Sequence, residues 1–141
     1  MDLTLSPIGY VMSPLKDRKG APRQGWDGAP EARIEVGAAY LDALDGIEAG
    51  QEVWVFTWLH EGRRATLKVH PRGDERNRLT GVFATRSPDR PNPIGLHRAK
   101  IVSVAGGSLV VEGLEAIDGT PVVDLKPVLE RSCEATGRAV V

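Results

Sequence analysis

Short apolar runs, separated by glycine and proline, recur from one end of this chain to the other, and that rhythm limits the fold more than any other feature. Of 141 residues, 16 are glycine and 10 are proline, and they sit between the apolar runs, a pattern that favours many short strands joined by turns. The strongest run, 52–59, reads Glu-Val-Trp-Val-Phe-Thr-Trp-Leu. Its β-branched and aromatic density predicts a strand buried on both faces. Trp54, Phe56 and Trp58 share one of those faces, which reads as core or subunit interface rather than as a platform for stacked bases. Residues 32–36 alternate cleanly, as a strand with one wet face does.

Further strands are expected at 3–11, with Pro7 marking a sheet edge, and at 79–85, 95–104, 108–114 and 121–127. The pair Gly106-Gly107 is expected to make a tight hairpin. Residues 65–69 are expected to pair back onto the 52–59 strand through a turn at Glu61-Gly62. Ala38 to Leu44 reads as a short helix with Tyr40, Leu41 and Leu44 inward. Residues 13–30 are too polar for a core and read as a long loop. The expected fold is therefore all-β: a single-domain small β-barrel of about seven strands with a short helix and long loops. It spans 1–141, with a polar tail from 130.

Charge and composition exclude several classes. The net charge is −1, so the overall field is not that of a dedicated nucleic-acid binder. An RNA contact would need a local patch, and Arg63, Arg64, Lys68, Arg72, Arg76 and Arg78 offer one, with Glu61, Asp74 and Glu75 mixed in. A solvated face reads equally well. The single cysteine, Cys133, excludes an internal disulfide and a cysteine-rich zinc site, and fits a reducing cytoplasm. His60, His70 and His97 lack zinc-ligand spacing, so no metal is expected. No run is long enough to span a bilayer, and the N-terminus lacks the features of a signal peptide. No Gly-x-Gly-x-x-Gly opens a helix after a strand, so a nucleotide would bind by another route.

The chemistry concentrates in Thr85-Arg86-Ser87-Pro88-Asp89-Arg90-Pro91-Asn92-Pro93-Ile94-Gly95. Three prolines in six residues fix φ and lower the entropy of the free loop. Polar groups on such a frame are aimed before a ligand arrives. Arg86 and Arg90 are the natural pair to clamp a carboxylate.

This segment, with Ala84 before it, closely resembles the signature of the TrmO family (TsaA-like, YaeB-like). Three further stretches agree in order and spacing: Ile8-Gly9-Tyr10-Val11 with Ser13-Pro14, Pro22-Arg23-Gln24, and the run from Asp118-Gly119-Thr120-Pro121 to Lys126-Pro127. The resemblance covers about residues 5–128. It implies a β-barrel that dimerises and binds S-adenosylmethionine near the subunit interface. It also implies N6-methylation of N6-threonylcarbamoyladenosine beside the anticodon of tRNA. Carried over by position, the cofactor contacts are Pro22, Arg23, Gln24, His60, Glu61, Arg86, Leu96, Asp118, Gly119, Thr120 and Pro121. Asp118 and His60 are the favoured proton acceptors among Asp89, Asp118, Asp124, His60 and His97. Two alternatives stand beside this reading. One keeps the cofactor and methylates a small molecule, which the acidic-leaning charge, Val128 after Lys126-Pro127 and the short C-terminus favour. The other is a non-catalytic S-adenosylmethionine-binding module.

Overall fold

The structure is a computed structural model that describes residues 1–19, 21 and 29–129. Its strands are β1 (Gly9–Met12), β2 (Ala32–Val36), β3 (Glu52–Trp58), β4 (Lys68–Val69), β5 (Thr80–Gly81), β6 (Ile94–Ala105), β7 (Ser108–Glu112) and β8 (Pro121–Pro127). Six of them close a barrel in the order β1-β2-β7-β6-β3-β8, while β4 and β5 form a separate two-stranded ribbon. The barrel neighbours are all antiparallel. The all-β barrel expected from the sequence is thus present, with six strands in the wall.

The core follows from period-two alternation. Val11, Ile34, Val53, Val55, Ile101, Leu109, Val111 and Val122 point inward and are at most 1% exposed. Each such aliphatic side chain contributes about 1.5–3 kcal/mol on burial. Leu114 and Ala116 extend the cluster from the β7–β8 connection. Closing so small a barrel requires sharp coiling, and two register shifts supply it, at Phe56/Thr57 against β8 and at Ile101/Ser103 against β7. Extra residues of this kind raise the local twist and bend the strand. β6 consequently pairs with β3 along its first half and with β7 along its second.

Several local expectations are corrected. The 65–69 segment does not return to β3, because β6 and β8 already occupy both edges of that strand. Lys68 and Val69 pair with Gly81 and Thr80 instead, and 82–84 is a single 3₁₀ turn rather than strand. The first strand is shorter than expected, at Gly9–Met12, and lies on no edge, since it pairs with β2 and β8. Residues 38–44 form a 3₁₀ helix. Its three-residue turn leaves Tyr40 and Leu41 exposed and packs only Leu44 against the core. On β3 the inward face is Val53, Val55 and Thr57, so Trp54, Phe56 and Trp58 lie on the outer face, half-buried, and not in the barrel core. Arg98 and Arg64 cover two of those rings, 5.7 Å from Trp54 and 5.2 Å from Trp58. Among the described residues no helix is long and apolar enough to cross a membrane.

Candidate functional site at one end of the barrel

A cavity of about 1080 Å³ opens where β3 ends and β6 and β8 begin. Two connections form its walls, the long one from β3 to β6 and the shorter one from β7 to β8. Ligand pockets run to about 300–1,000 Å³, so a nucleoside-sized molecule fits with room beside it.

The segment 85–95 is braced by hydrogen bonds within the loop and its preceding turn, and by arginines from earlier in the chain. The Arg90 guanidinium donates to the carbonyls of Val82 (2.7 Å), Thr85 (3.1 Å) and Ser87 (3.2 Å). The Thr85 hydroxyl donates to the Val82 carbonyl at 2.9 Å and accepts from the Ser87 amide. The Ser87 hydroxyl accepts from the Asp89 amide. The turn after β3 then locks on: the Arg63 amide donates to Asp89 Oδ1, and Arg64 donates to the Pro91 carbonyl and Asn92 Oδ1. Arg18 forks onto both Asp89 oxygens at 3.1 and 3.3 Å. Burial raises the proton affinity of Asp89, but the Arg63 amide and the Arg18 guanidinium outweigh it, and its carboxyl sits below the usual range.

This corrects the notion of an Arg86–Arg90 clamp. Arg90 is an internal brace and not a ligand group. Arg86 is exposed, anchored by one bond from Nη2 to the Leu96 carbonyl at 2.9 Å. Arg86 therefore reaches the cavity from a fixed base.

The expected cofactor residues divide into three groups. His60, Glu61, Arg86, Leu96 and Thr120 line the cavity together. Asp118 and Gly119 form the turn before Thr120 and Pro121 begins β8, and these three do not line the cavity. Pro22, Arg23 and Gln24 lie outside the described residues. The two favoured proton acceptors differ sharply. His60 is exposed on the cavity wall. Asp118 accepts from the Ser13 amide at 2.9 Å and faces Lys16 Nζ at 3.1 Å. The Ser13 amide first, and Lys16 second, hold its carboxyl below the ordinary value of 3.8. A carboxylate so stabilised is a weak base, and its visible work is to tie the segment after β1 to the β7–β8 turn.

That tie has a pH signature. Because the folded state lowers the proton affinity of Asp118, its contribution is present above the ordinary carboxylate value and disappears as pH falls through the folded value. Asp118→Asn is expected to lower the thermal midpoint at pH 7 and to flatten its decline toward pH 3. Parallel midpoint curves for variant and wild type would contradict this.

The sequence offers His97 only as one of several candidate proton acceptors and gives no sign of its partners Thr57 and Glu115. His97 points into the barrel, 5% exposed, with Nε2 2.7 Å from Thr57 Oγ1 and Nδ1 2.5 Å from Glu115 Oε1. The alternation Gly95, His97, Ala99, Ile101 places a histidine among inward residues, and that was the available signal. Nothing in the sequence marked Glu115, because its partner is 18 residues away across the barrel end. Among the described residues no cluster of three or more histidine, cysteine or acidic side chains is placed to hold a metal ion.

Comparison with known proteins agrees with this architecture. An S-adenosyl-L-methionine-binding protein of Archaeoglobus fulgidus is 43% identical over 124 residues, 88% of this chain and 88% of that protein. A probable S-adenosyl-L-methionine-binding protein of Methanothermobacter thermautotrophicus is 45% identical over 130 residues, 92% of this chain and 93% of that protein. The crystal structure of TrmO from Pseudomonas aeruginosa superposes with a TM-score of 0.73 at 32% identity over 92% of this chain. This chain spans 57% of that crystallised protein. Residues 10–133 match the family of the tRNA-methyltransferase O N-terminal domain, and this chain belongs to that family.

Proposed function

We propose that the chain is an S-adenosylmethionine-dependent methyltransferase that methylates N6 of N6-threonylcarbamoyladenosine beside the anticodon of tRNA. On this reading it is a single-domain cytoplasmic protein that works as a homodimer, with the donor near the subunit interface. The observation that carries the reading is the convergence of His60, Glu61, Arg86, Leu96 and Thr120 on one cavity whose wall is the braced 85–95 segment. The cavity fits the donor chemically. Leu96 and the 83–84 turn offer apolar surface, Arg86 offers a cation for a carboxylate, and Glu61 and Glu115 offer acceptors. Pro22, Arg23, Gln24, Asp118, Gly119 and Pro121 complete the proposed contact set.

S-adenosylmethionine, when bound, supplies a methyl group already activated by its sulfonium, which leaves as a neutral sulfide. Holding two partners in line and removing one proton are then the tasks of the chain. Alignment alone supplies roughly 7–11 kcal/mol. On this reading His60, exposed on the wall, takes the N6 proton as the new N–C bond forms, an effect of about 10²–10⁴-fold. Asp118 supports the site by holding the turn that carries Thr120. The alternative acceptor, a small molecule, would need only the cavity. The RNA reading also uses Arg72 on the cavity wall and the exposed cations Lys68 and Arg78 of the same connection.

Incubation with labelled S-adenosylmethionine and tRNA from a strain lacking the activity, followed by nucleoside mass spectrometry, tests the whole proposal. The expected product is one extra methyl on the threonylcarbamoyl nucleoside. Methyl incorporation confined to small molecules would transfer the assignment to them. Arg86→Ala is expected to weaken donor binding by about tenfold, the loss of one charge-assisted contact, as read by calorimetry. An unchanged affinity would remove Arg86 from the site.

A further inference from the structure

We propose that Glu115 is the residue that senses the positive charge on the donor sulfur, and that His97 and Thr57 hold it ready. The inference rests on the donor assigned above.

The carboxylates on the cavity wall are not equivalent. Glu61 and Glu75 are exposed, where water and salt screen them. Asp89 has both oxygens occupied by Arg18. The Glu115 side chain is only 12% exposed, and His97 is its hydrogen-bond partner. A charge in such surroundings acts through a lower effective dielectric and reaches a nearby cation more strongly.

The hydrogen-bond chain fixes where that charge sits. An ionised carboxylate only accepts, so Nδ1 of His97 carries the proton toward Glu115. Thr57 is wholly buried, and its hydroxyl shares a hydrogen bond with Nε2 on the other side of the ring. Both ring nitrogens of His97 are thereby engaged, and the ring cannot rotate without breaking a buried contact. Glu115 is pinned at 2.5 Å by a histidine that is itself pinned at 2.7 Å. A fixed, largely buried carboxylate on the wall of a cavity that takes a sulfonium nucleoside distinguishes the charged donor from its neutral demethylated product. It retains the first and releases the second, and so favours turnover.

The test compares two ligands that share every group except the charge on sulfur. Affinities for S-adenosylmethionine and S-adenosylhomocysteine are measured by calorimetry on the full chain and on Glu115→Gln, whose amide oxygen still accepts from His97 Nδ1. The ratio of the two affinities is expected to shift by about tenfold or more toward the neutral product in the variant. An unchanged ratio, including equal weakening of both ligands, overturns the proposal, because the carboxylate would then contact a shared group or none. A wild-type protein that binds neither ligand overturns the donor assignment instead. Should Glu115→Gln not fold, a crystal of the wild type soaked with S-adenosylmethionine decides. The sulfonium is expected within about 6 Å of the Glu115 carboxylate, and a separation well beyond that overturns the inference.

Discussion

Replacing Arg90 by alanine is expected to cost about 2–3 kcal/mol of stability and to lower donor affinity by more than the loss of Arg86 does. The reason is geometric. One guanidinium closes three bonds to the carbonyls of Val82, Thr85 and Ser87, and it is the group around which 82–90 folds. Bonds from a charged donor contribute about 1.5–3 kcal/mol each when buried. These are part-buried, and water resolvates the carbonyls in the variant, so the total is set well below three full bonds. The loop then loses the frame that aims Arg86, and a displacement of about 1 Å at a positioned group is enough to weaken function heavily. Arg90→Lys is expected to recover little, because an ammonium on a flexible stem cannot match the planar fork. Chemical denaturation gives the stability change and calorimetry the affinity. A variant within about 0.5 kcal/mol of wild type, with undiminished donor binding, would mean that the prolines alone hold the loop.

The contrast between Arg86 and Arg90 shows where the sequence stops being legible. Both arginines sit in one motif, and residue type alone makes them equivalent. Only the closed loop shows that one turns inward to its own backbone while the other is anchored at Leu96 and faces the cavity. Strands 32–36 and 121–127 are legible to the residue, because period-two alternation and turn residues are local signals. The partner of 65–69 is not, because the refusal comes from β6 and β8 already occupying the edges of β3, a fact about strands distant in the chain. The three outward aromatics of β3 mislead for a related reason. Their size suggests core, yet the narrow interior of a six-stranded barrel takes the valines and Thr57 instead. The Thr57–His97–Glu115 chain is the least legible part of the site. It joins three elements whose proximity exists only after closure, and just one of its members, His97, breaks a local pattern.

Gly95→Val is expected to be the most damaging single substitution outside the aliphatic core, at about 3–4 kcal/mol. Gly95 lies directly opposite Thr57 in the β3–β6 ladder. A Cβ at that position would stand on Thr57 Oγ1, 2.7 Å from His97 Nε2 and 3.1 Å from Leu59 Cδ2. Neither Thr57 nor His97 can withdraw, since they are 0% and 5% exposed and bonded to each other. Overpacking a tight site costs about 1–3 kcal/mol, and forcing Thr57 and His97 apart leaves buried polar groups unpaired, for about 1–3 kcal/mol more. For a chain of this length the sum lowers the thermal midpoint by roughly 10–15 °C. Gly81→Ala is the matched control, because it also sits in a strand and a Cβ there meets nothing within 4 Å. It is expected to stay within about 0.5 kcal/mol of wild type. If the two variants melt together, the barrel end has more room than its hydrogen bonds indicate. The fixed orientation of His97, which holds the Glu115 carboxylate in place, would then lose its structural basis.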